Sequence, residues 1–224
     1  MRVKVENLTK VYCLGSSLIT AVDDVNLEVN EGALVAVVGR SGSGKSTLLN
    51  LIGLNDNPTS GNVFVDDVNV SGLSGRERRR MRLHRMGFVF QTFNLLPTLS
   101  AVENVELPMA LANAPRKEQR EKAVRLLETI GLGGRLSHRP KELSMGEMQR
   151  VAIARALAND PEVIIADEPT GELDSKTAEE TVSLLSDINR KDRKTVIVAT
   201  HDEKLVKLMD IVYTIQDGKL RLES

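Results

Sequence analysis

Residues 33–52 read Ala33-Leu34-Val35-Ala36-Val37-Val38-Gly39-Arg40-Ser41-Gly42-Ser43-Gly44-Lys45-Ser46-Thr47-Leu48-Leu49-Asn50-Leu51-Ile52, and this stretch decides the fold. Its first six residues are apolar and rich in valine, the pattern of a buried strand. The next eight fit G-x-x-x-x-G-K-[ST], and from Thr47 a helix opens. Strand, glycine-rich loop and helix start together make a nest of backbone N–H groups at the positive end of a helix dipole. Glycines let the main chain approach phosphates without Cβ clashes. In this arrangement Lys45 reaches the β- and γ-phosphates and the Ser46 hydroxyl ligates Mg²⁺. Gly39, Arg40, Ser41, Gly42, Ser43, Gly44 and Thr47 complete the cradle. The chain is expected to bind a nucleoside triphosphate.

Outward from the loop, alternating patterns over residues 19–29 and at Gly61-Asn62-Val63-Phe64-Val65-Asp66 read as β-rich structure beside it. Met86-Gly87-Phe88-Val89-Phe90-Gln91 is a further short strand. From Phe93 to about Asn159 the character turns helical. Ala123, Leu126, Leu127 and Ile130 mark one helix there, which Gly131 ends. Val163-Ile164-Ile165-Ala166 and Val196-Ile197-Val198-Ala199 have strand length, and Ala178, Val182, Leu185 and Ile188 lie between them at helical spacing. Strand, helix and strand at that separation form a βαβ unit, hence a parallel sheet. Asp217-Gly218 predicts a closing hairpin turn. The expected fold is one α/β domain over 1–224: a P-loop NTPase core with a parallel central sheet and an antiparallel β subdomain (residues 1–91 and 160–224), and a helical insertion (92–159).

The chain has 224 residues, 41% hydrophobic and 27% charged, as an ordinary globular protein of one sizeable core. A net charge of −1 sets up no global field toward nucleic acid or anionic lipid. One cysteine, Cys13, excludes an internal disulfide and suits a reducing compartment. The N-terminus alternates like a strand and shows no signal-peptide core, and no apolar run approaches the ~20 residues of a membrane span. The expected location is the cytoplasm.

A second polar cluster closes the strand at 163–166. Asp167, at the end of a parallel strand neighbouring the loop, is placed to hold Mg²⁺ through water. Glu168 points past the strand end and can polarise an attacking water, help worth about 10²–10⁴ in rate. His201 follows the next strand on the same sheet edge and is expected to meet the γ-phosphate or the water.

With these segments in order, the chain resembles the ATP-binding cassette ATPases over essentially its whole length. Tyr12, in Thr9-Lys10-Val11-Tyr12, matches the aromatic that stacks on adenine in that family. Gln91 matches the glutamine that touches Mg²⁺ and the water and links the core to the helical subdomain. Leu143-Ser144-Met145-Gly146-Glu147-Met148-Gln149-Arg150 matches the family signature, Gly171-Glu172-Leu173-Asp174 the D-loop, and His201 the switch histidine. The signature separates the chain from P-loop kinases and GTPases. The segment Phe90-Gln91-Thr92-Phe93-Asn94-Leu95-Leu96-Pro97-Thr98-Leu99-Ser100-Ala101-Val102-Glu103-Asn104-Val105 is similar to the lipoprotein-releasing and macrolide-export subgroup, with cell-division ATPases close by. Met145 replaces the usual signature glycine, at a cost if that position needs positive φ, Glu147 and Met148 stand where glutamines are frequent, and Glu172 stands where a small residue is commoner.

The resemblance implies ATP and Mg²⁺ as ligands and an ATP-bound homodimer. Each ATP is then completed from the opposite chain by Ser144, Gly146 and Asp174, while Lys45, Gln91, Glu168 and His201 carry out hydrolysis. Ser46, Gln91 and Asp167 hold the metal. It also implies separate membrane permease subunits docking at residues 91–105, a peripheral place on the cytoplasmic membrane face, and no direct nucleic-acid contact. The alternative is a soluble cassette ATPase working on nucleic acid or ribosomes, whose relatives carry a long insertion or two cassettes per chain. The basic run Arg76, Arg78, Arg79, Arg80, Arg82, His84 and Arg85 is expected to be a solvated helix face.

Overall fold

In the computed structural model, which describes residues 1–223 apart from the side chains of residues 203 and 204, two sheets divide the strands. β1 (Val3–Leu14), β2 (Ser17–Val29), β4 (Ser60–Val65) and β5 (Val68–Asn69) form an antiparallel sheet in the order β2-β1-β4-β5. The other strands are β3 (Leu34–Val38), β6 (Met86–Val89), β7 (Val163–Asp167), β8 (Thr195–Thr200), β9 (Ile211–Gln216) and β10 (Lys219–Leu222). They form a second sheet in the order β10-β9-β3-β8-β7-β6, parallel except for β10. The β9–β10 hairpin turns at Asp217 and Gly218, both at positive φ, as the Asp-Gly pair predicts.

Helices α1 (Lys45–Ile52), α2 (Gly75–Arg85), α3 (Ala101–Leu111), α4 (Arg116–Thr129), α5 (Met145–Leu157) and α6 (Ser175–Asp192) fill the connections. Strand alternation decides which helix packs where. Val35, Val37, Ile165 and Ile197 point to α1 and to the antiparallel sheet, burying Leu48, Leu51 and Ile52 with Val3, Val5 and Leu8. Leu34, Ile164, Val196 and Val198 point the other way, to α5 and α6. Each fully buried leucine or isoleucine contributes about 1.5–3 kcal/mol. A third cluster joins α3, α4 and α5 through Val105, Leu127 and Val151. α5 serves two cores: Ile153 and Leu157 face the sheet, while Val151 and Ala154 face the helical layer.

Three helices begin at a reciprocal Ser-x-x-Glu box: Ser74 with Glu77, Ser100 with Glu103 and Ser144 with Glu147. Each pair satisfies two otherwise orphaned N–H groups. This signal was in the sequence and fixes the helix starts more sharply than periodicity.

The basic run is not a solvated face throughout, and the expectation is corrected. Arg78 is buried and donates to the Asp56 carbonyl, Arg82 donates to the Leu54 carbonyl at 2.6 Å, and Arg85 pairs with Glu162 and Asp66. Arg78 and Arg82 therefore tie α2 to the carbonyls that follow α1, and Arg85 ties its last turn to two carboxylates. Arg76, Arg79 and Arg80 remain exposed.

Candidate functional site

Parallel pairing brings the chemistry to one edge. Val38 is in register with Thr200, and Asp167 with Ala199. The loop after β3, the carboxylates ending β7 and the histidine after β8 therefore emerge side by side at the C-terminal strand ends, where open α/β sheets bind ligands.

The loop is built around two glycine positions. Gly44 has φ 109°, and a Cβ there would stand 2.2 Å from the Ala21 carbonyl oxygen. A Cβ on Gly39 would lie 2.4 Å from the Ile215 carbonyl oxygen. Only glycine fits a loop pressed between β2 and β9. Gly44 is the N-cap of α1, no side chain caps that helix, and its first turn holds no acidic residue. Its leading N–H groups are left for an anion.

Lys45 is only 7% exposed. Its Nζ donates to the Gly39 and Arg40 carbonyls at 2.8 and 3.2 Å and pairs with Glu168 Oε1 at 3.1 Å. The other Glu168 oxygen lies 2.9 Å from His201 Nδ1. Glu168 has φ 46°, the left-handed region that costs a non-glycine residue of order 1–3 kcal/mol. The sharp turn after Asp167 aims its carboxylate across the sheet edge at Lys45 and His201. No sequence pattern announced that backbone.

Asp167 Oδ1 is buried without a partner. Burial pushes the Asp167 carboxyl above its ordinary value and the Glu168 charge adds to this, while the Ser46 hydroxyl and Lys45 pull the other way. A desolvated, half-satisfied carboxylate against a hydroxyl suits a divalent cation, and Mg²⁺ takes few protein oxygens because phosphates and waters complete its shell. No group of three or more His, Cys, Asp or Glu able to hold a metal occurs among the described residues, so no all-protein cage competes.

Ala21, Ser41, Gly42, Gly44, Lys45 and Ser46 line a cleft of about 310 Å³ with Thr47, Gln91, Glu168 and His201. Ala21 was not foreseen: nothing in an alanine on β2 marks it. Gln91 Nε2 donates to Glu172 Oε1 at 3.0 Å, so the unusual D-loop glutamate holds the glutamine expected at the metal. Tyr12 lies outside the cleft lining. Its hydroxyl donates to Asp56 Oδ2 at 2.8 Å and also meets Thr47, while Lys10 Nζ sits 4.8 Å from its ring centroid. Burial and the Asp56 carboxylate raise the Tyr12 hydroxyl above its usual range.

Ser144, Gly146 and Asp174 are also absent from this cleft. They gather elsewhere, at the tips of α5 and α6: Ser144 caps α5 and Asp174 caps α6. Hydrogen bonds from the Ser144 N–H and Arg135 hold the Glu147 carboxyl below its ordinary value. Met145 opens α5 with its side chain 54% exposed, and it is not among the residues at positive φ. The feared backbone cost of methionine there does not arise.

A second cavity, of about 430 Å³, separates α2 and β6 from α3, with Leu83, Phe88, Leu107 and Leu111 in its apolar lining and Arg79 and Arg82 at hand. Of the segment 91–105 it takes only Asn94, and its walls come mainly from α2, β6 and the second half of α3. No helix among the described residues is long and apolar enough to cross a membrane.

A family model for ABC transporters matches residues 22–171. The uncharacterised ABC transporter ATP-binding protein MJ0796 of Methanocaldococcus jannaschii is 45% identical over 99% of this chain and 96% of its own length. A dimeric structure of that cassette, in a post-hydrolysis state bound to ADP and Pi, superposes with a TM-score of 0.92 over 99% of this chain and 98% of the other. The lipoprotein-releasing system ATP-binding protein LolD of Xanthomonas campestris pv. campestris is 45% identical over 98% of this chain and 92% of its own length. The macrolide export ATP-binding/permease protein MacB of Hyphomonas neptunium is 45% identical over 99% of this chain, which spans 34% of that protein.

Proposed function

The chain belongs to the ABC transporter family of ATP-binding cassettes, and from that premise we propose that two copies close head to tail around ATP and, on hydrolysis, drive separate permease subunits. The chain is the ATP-hydrolysing subunit, in the company of the lipoprotein-releasing and macrolide-export cassettes. The observation that carries the reading is the division of the machinery. Lys45, Asp167, Glu168 and His201 meet at one sheet edge, while Ser144, Gly146 and Asp174 sit at the tips of α5 and α6, outside the cleft that the phosphate loop lines.

The residues divide the work as follows. The open N-terminus of α1 and Lys45 bind the phosphates, with Lys45 exchanging Glu168 for phosphate oxygens. Glu168 takes a proton from the attacking water, and His201, 2.9 Å from it, orients that carboxylate. Ser46, Gln91 and Asp167 would hold Mg²⁺, which when bound neutralises charge on the β- and γ-phosphates. Tyr12, its ring fixed by Asp56 and Lys10, stacks on the base. Ser144 of the second copy and the N–H groups that open its α5 donate to the γ-phosphate from the far side, with Gly146 and Asp174 shaping that tip; help given in trans to a transferring phosphate reaches about 10³–10⁵ when an arginine supplies it.

The apolar groove beside α2 suits an amphipathic cytoplasmic helix of the permease. Docking there would hold the chain peripherally at the cytoplasmic face of the membrane. The relatives are transporter components, and this favours the reading over action on nucleic acid or ribosomes.

The test is phosphate release with Lys45→Ala and Glu168→Gln. Lys45→Ala is expected to lose nucleotide binding; Glu168→Gln is expected to keep ATP and hydrolyse it very slowly. Near wild-type turnover by Glu168→Gln would remove the general base from the scheme.

A further inference from the structure

Gly146 is buried inside its own chain, although a purely phosphate-facing glycine would be open to the partner. A Cβ built on it would stand 2.3 Å from Thr177 Cγ2. Carbon contacts settle at about 3.5–4.0 Å, so the methyl of Thr177 occupies the space the missing Cβ leaves.

Thr177 is not free to turn away. Its Oγ1 donates to Asp174 Oδ2 at 2.6 Å, and its N–H donates to Asp174 Oδ1 at 3.1 Å. A β-branched side chain has few χ1 wells, and moving the methyl to another takes the hydroxyl off Asp174. Asp174 begins α6 and Ser144 begins α5, so one threonine braces both helix tips. Deeper in, the same two segments are tied by Arg150 Nη1 to Glu180 Oε2 at 3.0 Å and by buried Gln149 Nε2 to the Pro169 carbonyl at 2.7 Å.

We propose that Thr177 is a positioning residue that locks Ser144 and Asp174 into one rigid unit, and that position 146 must be glycine to admit its methyl. This rests on the two-cassette reading. It differs from a direct role in predicting which second substitution repairs the first.

In a Glu168→Gln parent with ATP, sedimentation velocity gives the concentration of half-dimerisation. Gly146→Ala is expected to raise it about tenfold or more, equivalent to about 1.4 kcal/mol. Gly146→Ala with Thr177→Ser, which removes Cγ2 and keeps the hydroxyl, is expected to return it to within about threefold of the parent, as coupled neighbours do in a double-mutant cycle. Thr177→Val keeps the methyl and drops the bond to Asp174; weaker dimerisation is expected, and this variant decides the matter if Gly146→Ala fails to fold. A double variant as weak as Gly146→Ala alone, a Gly146→Ala chain that dimerises like the parent, or a Thr177→Val chain that does so would overturn the lock. A parent that stays single with ATP sinks the two-cassette reading instead. The same cycle read as thermal unfolding of the single chain, with Thr177→Ser recovering the loss, then decides whether the lock exists.

Discussion

Glu168 concentrates the chemistry because three constraints meet in it: a left-handed backbone, the Lys45 ammonium on one oxygen and His201 on the other. The pair with Lys45 competes with phosphate for the same cation. Glu168→Gln is therefore expected to lower turnover by about 10²–10⁴ while tightening nucleotide binding, since Lys45 loses a charged rival. Titration with a fluorescent ATP analogue checks the second half, and weaker binding by the variant would argue against the rivalry. Asp167 makes a prediction of opposite character. Its folded pKa is raised, chiefly by burial, so the ionised carboxylate costs stability once the pH climbs past the ordinary value of about 3.8. Asp167→Asn is expected to raise the melting temperature at pH 7.5, by roughly 2–4 °C for each kcal/mol recovered, while abolishing Mg²⁺-dependent hydrolysis. As the pH falls through the raised pKa, Asp167 becomes neutral and the gap in melting temperature should close. A gap that widened toward acid would contradict the assignment.

At the scale of elements, the segment after Gln91 is held from α5. Phe93 and Asn94 both have positive φ, and Arg155 donates to both of their carbonyls, 2.8 Å from that of Phe93. A planar fork reaches two adjacent carbonyls, whereas a lysine ammonium acts as a point charge. Arg155→Lys is expected to lose about 1.5–3 kcal/mol, the worth of a hydrogen bond to a charged group, in denaturant unfolding. Protease cleavage near residues 93–97 should quicken with it; unchanged cleavage would show the clamp to be idle. Elements of this kind mark the limit of what the chain spelled out. β3, β7, β8 and the phosphate loop were legible because apolar runs and glycine spacing are local signals. The βαβ crossover fixes which strand ends share an edge, so the sequence alone places Asp167, Glu168 and His201 together. The clamp of Arg155, the turn at Glu168, the brace at Thr177 and the buried half of the arginine run depend on contacts between distant residues, and no short-range pattern encodes those. The serine–glutamate boxes are local signals and are legible in the sequence.

The whole molecule presents two half-sites. The cleft gathers one set of groups at the sheet edge, and the tips of α5 and α6 carry the other set away from it. The dimeric cassette that superposes with a TM-score of 0.92 shows that this architecture can pair. If each ATP needs both halves, hydrolysis per chain must fall as the protein is diluted, because the second half arrives by association. The direct measurement is light scattering of the Glu168→Gln chain, with saturating ATP and then with ADP. Two-cassette catalysis requires the mass of two chains with ATP and of one with ADP. A single-chain mass throughout saturation with ATP would contradict it.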